Sequence, residues 1–135
     1  MAKPVEIASI DHFVLTVADI AATCVFYEKT LGMIVDRFAP ADGSAERVAL
    51  KFGSQKINLH AAGAEFSPHA RKPVAGSGDF CLITETPIAQ VQAHLWACGV
   101  AIEQGPVPRT GATGKLLSVY FRDPDGNLVE VSNRL

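Results

Sequence analysis

Two histidines and two acids, His12, His60, Asp79 and Glu130, are the side chains whose type and placement could hold a divalent metal ion. Each falls in a short run of alternating residues: His12 in HFVLTV, His60 in INLH, Asp79 in DFCLI and Glu130 in LVEV. A period of two marks strands with one face on a core, so the four point away from the apolar side chains beside them. Desolvating a carboxylate such as Glu130 in mid-strand is costly, and a cation or a hydrogen-bond network is the usual compensation. Two imidazoles and two carboxylates make a borderline donor set, suited to Zn²⁺, Ni²⁺, Mn²⁺, Fe²⁺ or Co²⁺. Sheet faces exposed to water carry the same residue types, so the pattern alone leaves a metal centre and a plain polar surface both open.

The elements that would position these residues come in two copies. The strand starting at Asp11-His12 recurs 67 positions later as Gly78-Asp79, which equates His12 with Asp79. After the first strand, Asp19 can cap a helix with apolar positions Ile20, Cys24, Tyr27 and Leu31, ended by Gly32. After the second, Thr86 caps, Pro87 takes the first turn, Ile88, Val91, Leu95 and Cys98 form the stripe, and Gly99 ends it. Strands at 33–38 and 100–104 follow, with turn-rich loops at 39–45 and 105–114. Each half then closes in a hairpin, 47–52 with 56–60 and 116–121 with 128–131. The expected fold class is α+β: two βαβββ modules, at about 8–60 and 78–133. Residues 61–77 form a linker, and 1–135 make a single domain.

Composition agrees. In 135 residues, 48% hydrophobic and 19% charged, 12 Lys and Arg face 14 Asp and Glu, which leaves no basic excess for nucleic acid or an anionic membrane. No apolar run suits a signal peptide or membrane span, so a cytoplasmic location is expected. Cys24, Cys81 and Cys98, an odd number without a CxxC, fit a reducing compartment.

The doubled module, Asp11-His12, Asp19, the segment FYEKTLGM at 26–33 and the closing RDPDGNLVE at 122–130 together resemble the vicinal oxygen chelate superfamily of glyoxalases, bleomycin-resistance proteins and extradiol dioxygenases. KINLH at 56–60, RTGATG at 109–114 and EVSN at 130–133 are most similar to the glyoxalase-domain-containing protein 5 type, which includes bacterial virulence proteins. The resemblance implies a metal held by His12 and Glu130. Where relatives have a His opening the second half and a Glu late in the first, this chain has Asp79 and either His60 or, two residues away on the same face, Asn58. It further implies a mixed sheet curled around a cavity, and a lyase or dioxygenase acting on a small oxygen-rich substrate chelated to the metal, with Glu130 as the catalytic carboxylate. Asn58, Arg109 and Tyr120 are the candidates for the substrate site, with Arg109 either holding a substrate anion or standing as a solvated loop cation, and Tyr120 either lining the cavity or packing as an aromatic. A homodimer completing its sites between subunits is implied too, with metal-free ligand sequestration as the alternative function.

Overall fold

The computed structural model describes residues 4–135. Ten elements follow in the order β1 (His12–Val17), α1 (Ile20–Leu31), β2 (Ile34–Phe38), β3 (Arg47–Phe52), β4 (Gln55–Ala61), β5 (Asp79–Ile83), α2 (Ile88–Ala97), β6 (Gln104–Thr110), β7 (Lys115–Arg122) and β8 (Leu128–Arg134). They make two four-stranded mixed sheets of the same topology, β1-β4-β3-β2 and β5-β8-β7-β6, so the α+β fold of paired βαβββ modules is the one observed. In each module the first and last strands run parallel and the other pairs antiparallel.

Local chemistry explains the first helix. The Asp19 carboxylate accepts from the Ala22 N–H at 3.0 Å, and Gly32, in the left-handed region at φ 65°, donates to the Glu28 carbonyl and stops the helix. The second helix starts differently from the sequence expectation. Thr86 does not cap it; Asn133, from β8, accepts from the Ile88 N–H at 2.8 Å and donates to the carbonyls of Thr84 and Thr86. A cap delivered from another strand has no signature in the local sequence.

A second correction concerns 100–114. The strand expected at 100–104 begins only at Gln104, and residues 105–110 of the expected loop belong to β6, despite Pro106 and Pro108. Prolines argue against a central strand, yet β6 is an edge strand, where an N–H facing away from the sheet needs no partner.

The apolar faces of both sheets and both helices share one core, including Leu15, Val17, Tyr27, Leu59, Leu95, Val119, Phe121 and Val129. Phe13 and Phe80 meet there at 5.0 Å between ring centroids, joining β1 to β5. The RDPDGN turn is tied to the same core: Asp123 accepts from the Tyr27 hydroxyl at 2.8 Å and from the Asn127 backbone and side chain. Burial and this carboxylate push the Tyr27 phenol far above its ordinary pKa. No helix among the described residues is long and apolar enough to cross a membrane.

Candidate metal-ligand pairs on two sheets

With Phe13 and Phe80 turned into the core, alternation turns their neighbours His12 and Asp79 to the other side of their strands. Register decides what stands beside them. In the first sheet Val14 is level with Asn58, and Thr16 with His60. In the second, Cys81 is level with Glu130 and Ile83 with Ser132. Since Val14 and Cys81 are 67 positions apart, the repeat equates Asn58 with Glu130 and His60 with Ser132.

Each sheet therefore presents one diagonal pair, His12 with Asn58 and Asp79 with Glu130. His60 lies level with a residue four positions beyond His12, about 13 Å along the strand at ordinary rise. His60 and Asp79 line one cavity, yet among the described residues no three His, Cys, Asp or Glu side chains are grouped to hold a metal.

Within the second sheet, Glu130 is firmly placed. Its Oε2 accepts from the hydroxyls of Ser118 at 2.7 Å and Ser132 at 3.3 Å, and the exposed Cys81 thiol lies 3.3 Å from the same Ser132 hydroxyl. Partial desolvation of the thiol beside Ser132, and secondarily the Glu130 charge, raise the Cys81 pKa against the hydrogen bond to Ser132, leaving a protonated thiol. Tyr120 stands opposite Glu130, and the Tyr120 hydroxyl accepts from Arg109 Nε at 2.8 Å, so Arg109 and Tyr120 extend the polar face across β7 to β6.

In the first sheet, His12 Nδ1 lies 2.8 Å from the Asp11 carboxylate, which leaves Nε2 to the outside. Asn58 is 8% exposed and its Oδ1 has no hydrogen-bond partner among the described residues. Asp11, Ser118 and Ser132 are the supporting residues that the sequence pattern does not single out. The serines carry one faint signal, small polar side chains inside the apolar runs LLSVYF and LVEVS.

A chain built of two such modules, each offering a diagonal pair of donors beside its first strand, has the architecture of the vicinal oxygen chelate proteins. The chain belongs to the Glyoxalase/Bleomycin resistance protein/Dioxygenase superfamily, whose profile matches residues 9–131. It is 52% identical over 123 residues to Virulence protein STM3117 of Salmonella typhimurium, covering 91% of this chain and 82% of that one. The crystal structure of that protein superposes with a TM-score of 0.90 at 50% identity, over 97% of this chain and 100% of the other. Glyoxalase domain-containing protein RDO1 of Mycosarcoma maydis is 47% identical over 131 residues, 97% of this chain and 71% of its own. More distant is the lactoylglutathione lyase of Agrobacterium tumefaciens, at 26% identity and a TM-score of 0.68 over 97% and 96% of the two chains.

Proposed function

We propose that the protein is a divalent-metal enzyme acting on a small oxygen-rich substrate, glyoxalase-like or dioxygenase-like, whose centre forms between two copies of the chain. His12 and Asn58 would come from one copy, Asp79 and Glu130 from the other. The observation that carries this reading is the pair of repeat-related diagonals, turned away from the shared core and not grouped within one chain.

The donor chemistry fits a metal. His12 is oriented through Nδ1 by Asp11, as ligating imidazoles usually are, and Asn58 offers an oxygen with no other partner among the described residues. Relative to the superfamily's two histidines and two glutamates, Asn58 removes a carboxylate and Asp79 adds one, so the two departures preserve a count of two carboxylates. A bound divalent ion supplies charge stabilisation for substrate oxygens. Glu130, with one oxygen anchored by Ser118, keeps the other for proton transfer at the substrate. The 26% identical lactoylglutathione lyase favours the lyase variant. Asp79, where a His is usual, favours the alternative of metal-free ligand sequestration.

Metal analysis of protein purified without added metal, with His12→Ala and Glu130→Ala in parallel, tests this reading. The parent should hold about one equivalent of metal per chain and each variant far less. Less than roughly a tenth of an equivalent in the parent, without a thermal shift on adding Zn²⁺, Mn²⁺, Ni²⁺ or Fe²⁺, would overturn it.

A further inference from the structure

The outward face of the first sheet gathers two cations, Arg47 and Lys56, and a buried imidazole, His60, none of them in an ion pair among the described residues. Arg47 stands opposite Phe38 on β2; extending the β3–β4 ladder by one step places it level with His60. Its guanidinium lies 4.3 Å from the centroid of Phe66, in the segment between the modules, and its buried Nε has no acceptor among the described residues. Lys56 reaches along the same face to Phe38, with its ammonium 3.9 Å from that ring's centroid. His60 is 3% exposed, meets Phe66 edge-on at 5.4 Å, and its Nδ1 has no partner among the described residues. Ala49, level with Asn58, puts only a methyl group among these long side chains. Asp36, opposite Ala49, Asp42, whose carboxylate feels the Arg47 charge, and Glu65 are neighbouring acids, yet the ion pairs among the described residues are His12 with Asp11 and Arg122 with Glu103.

Aromatic faces compensate a cation only in part, and buried N–H donors without acceptors are costly. Guanidinium, imidazole and ammonium donors make their strongest hydrogen bonds to ionised oxygens. We propose that this recess is an oxyanion subsite, taking the carboxylate or phosphate group of a small molecule between Arg47, His60 and Lys56, with Phe66 as its cover. The body of the ligand has a place beside it. A cavity of about 530 Å³ lies between β1 and β5 under residues 68–77, and its wall carries His60, Lys56, His69 and Lys72 against Asp11 and Asp79. The recess adjoins Asn58, so the same ligand could meet the metal pair at its other end. That extension rests on the metal reading, whereas the subsite does not.

The test uses metal-stripped protein with chelator present, so its outcome is separate from that of the metal analysis. Inorganic phosphate and acetate are titrated in turn at constant ionic strength in chloride, while the His60 ring and Asn58 amide resonances are followed by NMR. At least one anion should shift these resonances saturably, and which one does so assigns carboxylate or phosphate. Arg47→Gln should weaken that binding about tenfold or more, with Arg47→Lys recovering part of it. His60→Gln, followed at Asn58, is the second variant should Arg47→Gln fail to fold. No saturable shift with either anion, or equal affinity in wild type and the folded variants, would overturn the inference even if the metal is found.

Discussion

His60 is the residue whose position and chemistry diverge most from what its type suggests. Alternation places it on the same face as Asn58, and a slip of two residues between parallel strands keeps that face, so the sequence cannot say which is diagonal to His12. Only the ladder, with Val14 level with Asn58, separates them. His12 and Glu130 were legible because strand parity is enough to locate them. Buried beside Phe66, His60 has its pKa lowered chiefly by desolvation, with Arg47 and His69 adding to the effect and Glu65 opposing it. The unfolded chain therefore binds a proton at this side chain, near pH 6.5 and below, that the folded chain resists. The contribution of neutral His60 is complete above the unfolded value and is lost as pH falls from there to the lower folded pKa. Urea midpoints at about pH 7.5 and about pH 5.5, without phosphate or carboxylate buffers, should fall further for wild type than for His60→Gln. Parallel changes in the two proteins would show that His60 does not carry the dependence.

At the scale of elements, the sequence predicts what is local and misses what is delivered from afar. The Asp19 cap and the Gly32 stop lie within their own helix, whereas the α2 cap comes from Asn133, 45 residues from the Ile88 N–H that it accepts. Replacing Asn133 with Ala removes that acceptor and the donors to Thr84 and Thr86, and should cost about 1–2 kcal/mol in urea unfolding. Thr86→Ala, by contrast, should be nearly neutral. In β6 the prolines mask a strand because an edge position cannot be read from composition. Gly105 marks the irregularity: its φ is 108°, and a Cβ there would run into the Ser118 carbonyl on β7. Gly105→Ala should destabilise by roughly 2–4 kcal/mol. Because Ser118 also donates to Glu130, metal affinity should fall with it if the proposed centre is correct.

The whole molecule is a doubled unit, and that much was written in the 67-residue offset. The separation of the two halves' donor pairs was not, because it depends on how the modules pack through Phe13 and Phe80. If two chains complete each centre, complementation between variants follows from symmetry. His12→Ala spoils every site in its own dimer, and Glu130→Ala does the same in another. In a mixed dimer one site receives both defects and the other receives intact His12 and intact Glu130. Random reassortment of equal amounts gives half mixed dimers, each with one intact site of two, so metal binding should recover to about a quarter of the wild-type level. Remixing at low denaturant and then measuring bound metal by equilibrium dialysis checks this. Light scattering on the same samples must report dimers. A monomeric mass, or dimers that exchange subunits without any recovery, would remove the shared centre from consideration and leave each sheet with only its own pair.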